Sequence, residues 1–197
     1  MTLPANDIET RRRTEGIAFL VLFALTIPAA NWMIGHVGTV CPPNGPCLIP
    51  VAPHLFGTSL MAPSGVAMVG IALVLRDLVQ RRLGTAISAF AILVGAALSA
   101  LLAPPALVIA SAAAFFLSEL ADLAVYTPLA RRRLVAAVVA SSAVGLVVDS
   151  IVFLFLAFGS LEFLAGQVVG KGWMVLLSIP FVMWLRRRDA RLGIQPA

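Results

Sequence analysis

Thirteen arginines fall in four places along this chain: Arg11–Arg13, then Arg76 with Arg81 and Arg82, then Arg131–Arg133, then Arg186–Arg188 with Arg191. Between them run long stretches almost free of charge. An apolar α-helix needs about 20 residues to cross roughly 30 Å of hydrocarbon. On that measure the intervals supply six spans, Gly16–Ile34, Phe56–Leu75, Thr85–Leu102, Ala106–Tyr126, Leu134–Phe158 and Gln167–Leu185. With six spans the four basic segments share one side, which the positive-inside rule makes the cytoplasmic one. The expected fold class is therefore all-α: a polytopic membrane protein of six transmembrane helices with both termini cytoplasmic. Residues 1–15 form the N-terminal tail, 16–185 the transmembrane domain and 186–197 the C-terminal tail.

Composition agrees. Of the 197 residues 60% are hydrophobic and 12% charged, with a mean hydropathy of +1.01. A soluble domain carries about 25% charged residues, so this chain has too little polar surface to coat a globule in water. An ordinary cytosolic enzyme, a disordered chain and a nucleic-acid module are excluded. The net charge of +5 reflects the arginine clusters, not a basic binding face. A signal peptide ending near Pro28-Ala29-Ala30 is disfavoured, because the apolar run is long for one and no soluble domain follows.

Gly35–Leu55 is the longest connection and lies on the outer side. It holds Cys41 and Cys47, either bridged in an oxidising compartment or a pair of free thiols, and both histidines, His36 and His54. Ala103-Pro104-Pro105 is a very short outer turn that makes the third and fourth spans an antiparallel hairpin.

A charge inside a span costs about 2.5–3.5 kcal/mol at the bilayer centre on insertion scales, so such residues usually face a cavity and act there. Glu119, Asp122, Asp149 and Lys171 are of this kind. Glu119, Asp122 and Tyr126 share one helical stripe. Ser142, Gly145 and Asp149 share another, and small residues there permit close approach. Lys171 can instead snorkel to the outer interface as an anchor. In the second span, Ala62-Pro63-Ser64-Gly65 interrupts the helix, as broken helices do at transporter binding sites. Arg76 and Asp77 stand at the cytoplasmic rim, as a charge-paired gate or as an ordinary positive-inside stop. No nucleotide-binding loop, zinc motif or nucleophile elbow is present, so neither a cofactor nor a metal is expected, and transport fits better than intramembrane catalysis.

Four motifs carry a family resemblance. They are Pro63-Ser64-Gly65 with Leu75-Arg76-Asp77-Leu78-Val79-Gln80 and Gly84; Ser118-Glu119 with Asp122, Tyr126 and Arg131–Arg133; Ser141, Gly145, Asp149-Ser150 and Phe153; and Gly166-Gln167 with Gly170-Lys171. Together, over residues 60–180, they resemble the queuosine-precursor transporters (the YhhQ group, also described as vitamin uptake transporters). The resemblance implies a bacterial inner-membrane importer of a 7-deazaguanine, 7-cyano-7-deazaguanine first, for queuosine synthesis in tRNA. The expected partners are that small molecule and the lipid bilayer, with no nucleic acid; a homodimer is one option. The candidate substrate-binding residues are Ser64, Glu119, Asp122, Tyr126, Asp149 and Lys171; Pro63, Gly65, Arg76, Asp77 and Gln80 are gating or structural. A carboxylate can accept both N1–H and the exocyclic amine of a guanine-like base, and Phe115, Phe116, Tyr126 or Phe153 can stack on its ring. Alternatives are the substrate-capture subunit of an ATP-driven vitamin importer, an intramembrane enzyme using Glu119, Asp122 and Asp149, and a structural protein. The energy source is open.

Overall fold

The computed structural model describes residues 5–43, 45–55, 58–103 and 105–197. Six helices carry most of the chain: α1 (Ala5–His36), α2 (Val66–Leu83), α3 (Thr85–Leu102), α4 (Val108–Leu129), α5 (Leu134–Phe158) and α6 (Leu164–Leu192). All but α2 are long and apolar enough to cross a membrane. Large apolar side chains such as Phe90, Leu101, Ile109, Phe155 and Leu177 point outward, each more than 60% exposed. Nothing in water stabilises that arrangement; hydrocarbon does.

The helix boundaries follow local chemistry. Helices α3 and α5 occupy the residues expected of them. Gly84, at φ +90°, takes a backbone angle that other residues resist and so separates α2 from α3 without a loop. Helix α1 reaches back to Ala5 and α6 on to Leu192, so both terminal segments are largely helical beyond the apolar spans. A single 3₁₀ turn, Pro105–Leu107, joins α3 to α4, which pack together; Pro104 lies outside the described residues.

The second span departs from expectation. No helix begins near residue 56, and Phe56 itself lies outside the described residues. Leu48–Leu55 and Thr58–Pro63 instead form an antiparallel hairpin, β1 and β2, and α2 starts only at Val66. The fold is therefore helical with one small sheet. A two-stranded ribbon has only edges, which is where prolines such as Pro50 and Pro63 are tolerated. Cys41 and Cys47 are joined as a disulfide immediately before β1. The hairpin leans on α6: Trp173 Nε1 donates to the Val51 carbonyl at 3.1 Å. A Cβ at Gly166 would lie 2.0 Å from the Met61 carbonyl oxygen, so only glycine lets strand and helix approach this closely.

Helix α2 is the most enclosed helix. Most of its 18 residues are buried, including Arg76, Asp77, Gln80, Arg81 and Arg82. It packs against α1, α3, α5 and α6, which shield its charges from lipid. At 1.5 Å per residue it is about 27 Å long.

The four basic segments meet at one end. Arg82 donates to Glu15 of α1 at 3.0 Å and to both oxygens of Asp189 of α6, at 2.7 and 2.9 Å. Arg81 also donates to Asp189, and Arg188 to Glu15. The backbone N–H of Ala197 donates to the Arg81 carbonyl at 3.0 Å. Arg131 lines a small pocket together with Arg81, Pro196 and Ala197. The hairpin occupies the opposite end.

Candidate functional site

A cavity lies in the hairpin half of the bundle. Its walls come from the late turns of α1 and α3, the first turns of α2, α4 and α6, and the far half of α5. The space amounts to about 700 Å³ when the open solvent at its mouth is included. Most of the wall is apolar, with Phe115 and Phe153 as its aromatic members. Glu119, Asp149, Gln167 and Lys171 supply convergent polar groups, and Thr26, Asn31, Ser99, Ser111 and Ser118 add hydroxyls and an amide.

Two buried ionic groups stand behind that wall. In the first, Lys171 of α6 donates from Nζ to Asp149 Oδ2 at 2.5 Å, to Ser150 Oγ at 2.9 Å, and to Gln167 Oε1. An ammonium has three donors, so Lys171 is saturated within the protein. At 1% exposure it does not snorkel to the interface. Its two anchors on α5 and the one from its own helix fix how α5 and α6 meet.

The second group centres on Arg76. Its Nε donates to Glu119 Oε2 at 3.0 Å, Nη1 to Gln80 Oε1 at 3.1 Å, and Nη2 to Asp122 Oδ1. Asp77 Oδ1 lies 3.0 Å from Nη2, without the geometry of a hydrogen bond, while Asp77 Oδ2 accepts from Ser141 Oγ at 2.8 Å. The guanidinium also sits 5.7 Å from the centre of the Tyr126 ring. Arg76 and Asp77 are 0% exposed. They do not mark a rim, because Arg76 lies five residues, about 7.5 Å, deeper along α2 than Arg81.

The expected binding residues divide. Glu119, Asp149 and Lys171 line the cavity, with Pro63 and Gly65 at its edge. Ser64, Asp122 and Tyr126 do not. Ser64 Oγ is spent on the Met33 carbonyl at 2.7 Å, which ties the turn after β2 to α1. Asp122 points to Arg76 and packs beneath Gly145. Tyr126, like Gln80, lines the small pocket at the basic end. Gly65 backs onto the Ala30 carbonyl and Ile34 of α1, so a side chain there would push on the bundle as well as on the cavity.

Sequence reasoning missed Gln167 and Asn31 as cavity residues, although a lone amide in an apolar span is itself a signal. It also missed the Glu15–Arg82–Asp189–Arg188 network, whose hydrogen-bonded pairs are 67 to 173 positions apart in the chain. No periodicity reports such a distance.

Five membrane-length apolar helices, a charged central helix and a mostly apolar cavity with a few convergent polar groups define a multi-pass membrane protein. The family model described as "Putative vitamin uptake transporter" matches residues 83–185, just over half of the chain. The chain belongs to that transporter family. Comparison with curated proteins and with solved structures finds no significant match.

Proposed function

We propose that this protein is a six-span carrier of a bacterial inner membrane, with its basic end in the cytoplasm, and that it imports a 7-deazaguanine, 7-cyano-7-deazaguanine first, for queuosine synthesis. Glu119 is the observation that supports this cargo best. Its Oε2 is held by Arg76, and its Oε1 has no hydrogen-bond partner among the described residues while the side chain lines the cavity. Two carboxylate oxygens offer about four acceptor sites, so the pair can take N1–H and the exocyclic amine of a guanine-like base together. Phe115 and Phe153 line the same space and suit a flat ring. Lys171 and Asp149 satisfy one another and shape the wall.

Uptake of labelled 7-cyano-7-deazaguanine by a queuosine-auxotrophic bacterium should depend on this chain. In purified protein, Glu119→Gln turns one acceptor into a donor that faces the donors of the base. Leaving a buried hydrogen-bonding group unsatisfied costs about 1–3 kcal/mol. Affinity, read as ligand-induced thermal stabilisation, should fall roughly tenfold or more. Wild-type affinity in Glu119→Gln would remove Glu119 from the site.

Orientation has its own test. In intact cells an impermeant thiol reagent should label Cys41 and Cys47 after mild reduction. A cysteine placed at Arg132 should stay protected until the membrane is opened. The reverse order of labelling would overturn the topology.

A further inference from the structure

The fixed charges inside the bundle do not balance. Arg76 faces three carboxylates, Asp77, Glu119 and Asp122, none more than 2% exposed. Lys171 and Asp149 cancel one another. Full ionisation would leave two uncompensated negative charges among apolar helices, and a carboxylate in that position takes up a proton rather than remain charged. The hydrogen bonding points the same way. Asp122 Oδ2, Asp77 Oδ1 and the Tyr126 hydroxyl are buried without a hydrogen-bond partner. An ionised carboxylate oxygen can only accept, and a proton on Asp77 or Asp122 gives the cluster a donor that its two orphaned carboxylate oxygens lack.

The cluster also has a direction. Glu119 lines the cavity at the hairpin end, whereas Gln80 and Tyr126 line the pocket at the basic end, and Arg76 touches all three. Its charged and titratable surroundings are Arg76, Asp77, Arg81 and Arg82 on α2, Glu119, Asp122 and Tyr126 on α4, Asp149 on α5 and Lys171 on α6. Among the described residues, α1 and α3 contribute no charge to an ion pair with it.

We infer that the Arg76–Asp77–Glu119–Asp122 cluster carries a proton from the cavity to the basic end of the bundle, so that import is driven by the proton gradient. The ligand of this site is the proton itself. It binds a carboxylate oxygen of Glu119 from the cavity, passes to Asp122 or Asp77 around Arg76, and leaves toward the basic end past Tyr126 and Gln80, which line the second pocket. All three carboxylates then return to their starting charge. Arg76 stays protonated throughout and holds the acids within reach of one another. Among the described residues no group of three or more His, Cys, Asp or Glu side chains is arranged to hold a metal ion. Coupling rests on the cargo reading above: Glu119 must be ionised to accept the N–H groups of the base, so binding displaces its proton toward Asp122. With a neutral base, one positive charge moves inward per cycle.

Infrared spectroscopy of the full-length protein, in a detergent free of ester carbonyls, tests the proton without any cargo. Near neutral pH the wild type should show the carbonyl stretch of a protonated carboxylic acid, diminished in Asp122→Asn or, should that variant not fold, in Asp77→Asn. A wild-type spectrum without that band overturns the proposal. In liposomes with the membrane potential clamped, one pH unit, acid outside, should hold labelled 7-cyano-7-deazaguanine at about tenfold internal excess, since both correspond to ~1.4 kcal/mol. An uncoupler should abolish the excess. In Asp122→Asn the internal excess should no longer follow the pH gradient. Uptake that ignores the pH gradient, or follows a sodium gradient instead, overturns the relay and leaves the cargo reading standing. If the base is neither bound nor moved, the cargo reading fails and the infrared band alone decides the relay.

Discussion

Arg76→Gln should cost about 3–5 kcal/mol of folding stability, the range for removing one partner of a buried ion pair. The guanidinium reaches Glu119 and Asp122 on α4 and Gln80 on its own helix, and lies beside Asp77. Glutamine keeps the stem and loses the charge and the fork. Three carboxylates would then crowd together without a cation. The loss stays near the cost of one broken pair because each acid can neutralise itself by binding a proton. Arg76→Lys should recover little of it, since a point charge cannot reproduce a planar fork with several simultaneous partners. Combining Arg76→Gln with Asp122→Asn should restore part of the stability. The measurement is reversible unfolding in mixed detergent micelles. A single variant as stable as the wild type would mean that the cluster does not hold α2 to α4.

Lys171→Met should be damaging in the same range, for a different reason. Methionine fills most of the lysine volume, but Asp149 is left as an unpaired charge and the Gln167 and Ser150 oxygens lose their donor. Breaking a buried pair from one side costs about 3–5 kcal/mol, whereas replacing both partners by neutral groups is often tolerated. The Lys171→Met/Asp149→Asn double variant should therefore melt closer to the wild type than either single variant. Transport should stay impaired, because both residues form the cavity wall. Stability that falls further in the double variant would show that the two side chains act independently.

How far could a reader of the residues alone have come? Helices α3 and α5 coincide with their expected spans because sharp signals bracket them: Gly84 before Thr85, the Arg131–Arg133 run before Leu134, and Gly159 after Phe158. The β-hairpin is not legible because the expected outer connection Gly35–Leu55 takes in its first strand and the expected span Phe56–Leu75 its second, and a short apolar run does not distinguish strand from helix. Its prolines were the available warning. At the site, the cost of charge in lipid singled out all four intramembrane charges of α4, α5 and α6. Spacing put Glu119 and Asp122 on one stripe, but which of them meets the cavity depends on how α4 is rotated against α2. That rotation is set by Arg76, which the sequence grouped with Arg81 and Arg82 as one basic stop. Depth within a bundle is a tertiary property, and a run of arginines does not report it.

The enclosure of α2 bears on how the chain enters the membrane during synthesis. A helix carrying Arg76, Asp77, Arg81 and Arg82 partitions poorly into lipid by itself. The α4 carboxylates that hold Arg76 emerge from the ribosome 43 and 46 residues later, and Asp189 of α6, which shares Arg82 with the earlier Glu15, emerges 107 residues later. Newly made α2 must therefore wait at the insertion machinery, or at the bilayer surface, until its counter-charges arrive. On this ordering the central helix should settle last, once the segments that surround it are in the bilayer.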